Sequence, residues 1–79
     1  MDNAKLLEQL IQTACLADYI TSIGARFMQE RIDVGHMTAS EAIEQLCEAR
    51  EANADDIRFE FDLRFCRLAN QLKTECQLG

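Results

Sequence analysis

Residues 57–65 read IRFEFDLRF, with apolar and charged side chains in strict alternation. Period two is the mark of a half-buried strand. A strand needs a neighbour for its backbone groups, and no second segment of this chain alternates or is rich in β-branched residues. Drawn as a helix at about 100° per residue, the same stretch opens into two faces. Ile57, Phe61, Phe65, Leu68, Leu72 and Cys76 fall on one face, and Phe59, Leu63 and Cys66 on nearly the opposite one. The charges between them suit helical (i, i+4) pairs, Arg58 with Asp62 and Glu60 with Arg64, worth about 0.2–0.5 kcal/mol each. The stretch is therefore read as helix, and a helix with two apolar faces needs two partners.

The rest of the chain follows the same period. Among its 79 residues there is no proline and there are three glycines, which favours helix throughout. One clear break, DVGHMTAS, contains Gly35 and is followed by Thr38 and Glu41 at the spacing of a capping box, in which hydroxyl and carboxylate satisfy each other's backbone amides. The pattern predicts a helix over 3–33, about 46 Å long at about 1.5 Å per residue, a loop over 34–38 and a second helix over 39–77. Asn53, Asp55 and Asp56 could break that second helix near 53–55. Against a break, Cys47, Ala54, Phe61 and Leu68 keep a seven-residue phase across the doubtful turn. The expected fold is all-α: a single domain over 1–79, built as a hairpin of two long antiparallel helices. A chain this short buries only roughly 60–65% of its unfolded surface, so dimerisation into a four-helix bundle is expected to complete it.

The N-terminal half carries a broad apolar face of Leu6, Leu7, Leu10, Ala14, Ala17, Ile20, Ile23, Phe27 and Met28, with Leu16 to one side. That width implies at least two neighbouring helices. Along its middle Ala14, Ala17, Thr21 and Gly24 form a stripe of small residues, the expected oligomer seam, where a second backbone could approach closely. On the C-terminal half Phe59, Leu63 and Cys66 are the expected partner-binding face.

Charge is concentrated. The formal net charge is −6, and residues 41–62 hold eight acids against Arg50 and Arg58, so the remainder of the chain is neutral. Glu41, Glu44, Glu48, Glu51 and Asp55 follow a three–four spacing that lines them up on one helical stripe, either a solvated face or a strip that docks on a basic partner.

These features also exclude function classes. Cys15, Cys47, Cys66 and Cys76 lie 32, 19 and 10 residues apart, without the close pairs of zinc or redox motifs, and read as small buried hydrophobes in a reducing compartment. The one histidine, His36, follows Glu30 and Asp33 at three-residue intervals where a helix is ending, a weak basis for a metal site. No glycine-rich phosphate loop is present. Arg58, Arg64, Arg67 and Lys73 are interrupted by Glu60 and Asp62, and the overall charge repels nucleic acid. No apolar run reaches a membrane span, and the opening MDNAKLLEQL lacks the pattern of a signal peptide, so a cytoplasmic location is expected. The sequence reading is thus a non-enzyme without cofactor or metal that binds another protein as an inhibitor or adaptor. By size and composition alone, phage-type inhibitors of host proteins and secretion co-chaperones are of this kind. The alternatives are a purely structural homo-oligomer and an acidic phosphate mimic that blocks a nucleic-acid-binding partner.

Overall fold

The structure, a computed structural model, describes residues 3–78, with side chains over residues 3–75. Among the described residues there are four helices and no strand: α1 over Asn3–Leu16, α2 over Ser22–Asp33, α3 over Ala39–Ala52 and α4 over Phe59–Leu78. A short 3₁₀ turn, Ala54–Asp56, precedes α4. The all-α reading and the rejection of a strand at 57–65 both hold. The two-helix hairpin does not, because each of its long helices is broken once.

The first break is made by Asp18. It adopts φ 63°, the left-handed region that few residues other than glycine enter and that aspartate tolerates better than most. Asp18 N–H donates to the Cys15 carbonyl at 3.1 Å and Tyr19 N–H to the Ala14 carbonyl at 2.9 Å. That is the double closure of a Schellman motif, with aspartate where glycine is usual. Three residues on from Asp18, the Thr21 hydroxyl accepts from Gly24 N–H at 2.9 Å and starts α2. The segment LADYITS therefore stops one helix and caps the next.

The second break lies where it was expected, at 34–38. Gly35 at φ 81° allows another Schellman closure, with Gly35 N–H on the Ile32 carbonyl and His36 N–H on the Arg31 carbonyl. Thr38 caps α3 by accepting from Glu41 N–H at 3.2 Å. The other half of the expected box is altered. The Thr38 hydroxyl donates to the Glu41 carboxylate at 3.1 Å, so the side chains bond to each other.

The third break falls at Asn53, which caps α3 and donates from Nδ2 to the carbonyls of Ala49 at 2.7 Å and Tyr19 at 3.4 Å. The seven-residue phase across it has no structural counterpart, since Ala54 sits exposed in the 3₁₀ turn. Ile57 is extended, Phe59 begins α4, and the 20 residues of α4 account for most of the 33 Å long dimension of the molecule.

Helix α1 packs against each of the other three helices, most extensively against α4. Its buried face is Leu6, Leu7, Leu10, Ile11 and Ala14, and it meets Ala42, Ile43 and Leu46 of α3 and Phe65, Ala69 and Leu72 of α4. The need for at least two neighbours is thus met within the one chain. Tyr19 and Met37 join the core from the turns, whereas α2 has Met28 as its one buried side chain, with Ala25 and Ile32 partly buried against the core.

The break at Asp18 also rearranges the N-terminal face. Ile23 and Phe27 are 81% and 61% exposed, because α2 is turned away from the axis on which the sequence placed them. The stripe of small residues dissolves for the same reason. Ala14 and Ala17 are buried in the chain's own core, Thr21 is a cap, and a side chain at Gly24 would meet the Thr21 hydroxyl at 3.2 Å. The four no longer share one helical surface on which a second backbone could lie.

Candidate functional site

Asp62, counted in the sequence only as a charge, is the polar centre of the fold. One turn into α4, its carboxylate accepts from the Tyr19 hydroxyl at 2.5 Å and from Arg50 Nε and Nη2 at 2.6 and 3.0 Å, and the Cys66 thiol lies 3.8 Å away. The Arg50 guanidinium, with the Tyr19 hydroxyl behind it, holds the Asp62 carboxyl below its ordinary value. Arg50 is correspondingly pushed up by its bond to Asp62. Burial, and then the bond to Asp62, raises Tyr19 to about 12. Burial also pushes the Cys66 thiol up, with the Arg50 charge opposing it.

This arrangement is a clamp. The carboxylate is fully engaged, and a thiol kept protonated is a poor nucleophile. The clamp holds together the breaks at 17–21 and 53–58, which are also joined by Asn53 to the Tyr19 carbonyl and by Arg58 to Asp18 at 2.8 Å. The last pair is solvent-exposed and contributes little. Arg58 and Asp62 therefore pair across the fold, with Asp18 and Arg50, and not with each other as their spacing suggested. No Glu60–Arg64 ion pair forms among the described residues.

Tyr19 is the only tyrosine and the chain has no tryptophan, so phenolate absorbance reports this clamp alone. Its titration midpoint should lie near pH 12 instead of 10. Because the folded value is the higher one, the stability it contributes is complete below about pH 10 and lost as pH climbs towards 12. Helicity measured in the same samples should fall across that window, and a midpoint at 10 in protein that is still helical would contradict the clamp.

Beside the clamp lies a groove between α3 and α4. Its α3 wall is Ser40, Ile43, Glu44, Cys47, Glu48 and Glu51, and Lys73 of α4 stands on the other side. Positions 40, 43, 44, 47, 48 and 51 repeat at three and four, so one face of α3 supplies the whole wall. Ile43 is buried and Cys47 half-buried along the floor, while Glu44, Glu48 and Glu51 stand on the rim. The groove continues past Cys47 and Glu51 to Arg50, Phe65 and Cys66, reaching the edge of the clamp.

The structure thus brings three of the five stripe acids to this groove. Glu41 lies on the outer side of α3 with Glu44 and Glu48, and Asp55 leaves the stripe because the helix ends at Ala52. Of the other expected partner-binding residues, Phe59 and Leu63 are 75% and 57% exposed on α4, while Cys66 turns to the α3 edge beside Asp62. Cys15, Cys47 and Cys66 are free and half-buried, more accessible than core hydrophobes, and the Cys76 side chain lies outside the described residues. Of the floor residues, Cys47 was read from the sequence as a small buried hydrophobe, and Ile43 was not singled out. Lys73 was not placed beside them, because its register against α3 depends on the turn at 53–58.

Among the described residues no group of three or more His, Cys, Asp or Glu side chains is placed to hold a metal ion, and no helix is long and apolar enough to cross a membrane. The chain matches no protein-family model, no curated protein and no solved structure.

Proposed function

We propose that this protein is a non-enzymatic binding module that captures a basic, amphipathic helical segment of another protein along the α3–α4 groove, acting as an inhibitor or adaptor. The observation that carries this reading is the apolar line of Ile43 and Cys47 set beneath the rim of Glu44, Glu48 and Glu51. Helix-in-groove recognition uses apolar anchors at i, i+3 or i+4, and flanking charge sets partner choice. A partner helix of three to four turns matches the 14 residues of α3. Its leucines or methionines lie over Ile43 and Cys47, and its lysines or arginines face the acids. The solvent-facing rim makes this binding sensitive to salt. Lys73 interrupts the negative surface on the far wall, which weighs against mimicry of a phosphate row.

Two synthetic peptides of one basic composition test the reading, one with its leucines on a single helical face and one scrambled. Fluorescence anisotropy should show the amphipathic peptide binding at least about tenfold more tightly, a difference of about 1.4 kcal/mol. Glu44→Lys with Glu48→Lys should abolish that binding while leaving helicity intact, since neither side chain belongs to the buried core. Equal affinity for the two peptides, or no loss on charge reversal, would sink the proposal.

A further inference from the structure

The apolar face of α4 is separate from the groove. Phe59 and Leu63 stand one turn apart and exposed, and Leu63 borders a shallow depression with Leu68, Arg64 and Arg67. Through Arg64 and Leu68 this surface continues to Leu16 of α1, itself 51% exposed. Large apolar side chains clustered in this way mark an interface.

The charges beside the cluster specify its occupant. Glu60 lies three residues before Leu63 and Arg67 four residues after it, and at about 100° per residue both fall on the same edge of the Phe59–Leu63 strip. Neither forms an ion pair among the described residues. If two such helices ran parallel about a two-fold axis, each edge would meet the opposite edge of the other copy, and Glu60 and Arg67 would be left without each other. If they run antiparallel about a two-fold axis, the shared edge of one copy meets the same edge of the other, and Glu60 faces Arg67 twice. Self-complementarity of this kind is what an isologous dimer requires, and an unrelated partner gives no reason for it.

We propose that the exposed face of α4 is the seam of a homodimer, in which two α4 helices pack antiparallel about a two-fold axis near Leu63. Each Phe59 ring then packs beside Leu63 of the other copy, and two Glu60–Arg67 pairs close the edge on which the depression lies. The opposite edge of the strip, with Asp62 and Cys66, faces α3. The seam does not depend on what the groove binds.

Sedimentation equilibrium over a range of concentrations tests this, with circular dichroism as a check on folding. The intact protein should show twice the chain mass of 9.0 kDa. Leu63→Glu should return it to monomer, and so should Glu60→Arg or Arg67→Glu alone. Glu60→Arg combined with Arg67→Glu should restore the dimer, recovering at least tenfold of the lost affinity. All three positions are exposed, so the variants retain their helices. A wild-type protein that is monomeric throughout would overturn the seam. So would a dimer indifferent to the single reversals, which would place its interface elsewhere. If the wild type is monomeric and Leu63→Glu abolishes peptide capture, the face belongs to a different protein and the second copy is ruled out.

Discussion

Replacing Phe65 with alanine should remove most of the protein's stability, and replacing Phe59 with alanine should leave it almost unchanged. The two rings come from the same alternating stretch, six residues apart. Phe65 is 1% exposed, where α4 meets α1 and α3, and its ring meets Tyr19 edge-on at 5.4 Å. Truncating a buried phenylalanine costs about 3–5 kcal/mol through lost transfer energy and the cavity left behind. A domain of this length holds only about 4–12 kcal/mol in total at roughly 0.05–0.15 kcal/mol per residue. Phe65→Ala should therefore be marginally folded or unfolded at 25 °C. Phe59 is 75% exposed, and its loss should stay within about 0.5 kcal/mol in the monomer. Urea unfolding followed by circular dichroism, at a concentration below self-association, measures both. Comparable losses for the two variants would show that the faces of α4 are wrongly assigned.

The second large effect is expected at Asp62. Asp62→Asn keeps the shape of the side chain but leaves Arg50 beside a neutral amide and removes the charge that accepts from Tyr19. Taking one partner from a fully buried pair costs about 3–5 kcal/mol. Here Arg50 is 33% and Asp62 14% exposed, and solvent reduces the expected loss to about 1–3 kcal/mol at pH 7. The pH dependence is the sharper signature. The folded carboxyl sits below its ordinary value of 3.8, so its contribution is complete above that value and disappears as pH falls through the lower folded one. The amide of the variant does not titrate in this range. The difference in unfolding free energy between wild type and variant should be constant from about pH 5 to 7 and shrink below about pH 4. A gap that persists undiminished at strongly acid pH would mean that Asp62 stabilises the fold through hydrogen bonds its neutral carboxyl still makes, and not as a charge.

Much of the fold was legible because helix periodicity is a local property. The core positions Leu6, Leu7, Leu10, Phe65 and Leu72 follow from spacing, and the break at 34–38 from glycine and a cap. The break at 17–21 was missed because its left-handed residue is an aspartate, which sequence reading does not treat as a stop, and because apolar spacing runs on through it. Thr21 was taken for a small residue on a face, when its hydroxyl was the stronger clue. At 53–55 two local signals disagreed. The weak breaker Asn53 prevailed over the seven-residue phase: its side chain bonds back to the Ala49 carbonyl at 2.7 Å and, at 3.4 Å, across the fold to Tyr19, and only the second contact lies beyond any local pattern. The candidate site divides along the same line. The acids of α3 were visible as a stripe, whereas the apolar floor beneath them, Lys73 and the clamp required knowing how α4 returns against α3.

Helix α2 has a consequence for the protein's lifetime. It is flanked on both sides by Schellman turns, keeps only Met28 buried, and lies outside the clamp that ties the other breaks together. Its local opening exposes little of the α1–α3–α4 core, so it requires far less free energy than global unfolding. The chain therefore presents proteases with a cleavable segment while most of its interior is still assembled. Degradation would begin within α2, Ser22–Asp33, at a rate set by the opening of that helix and not by the stability of the whole domain.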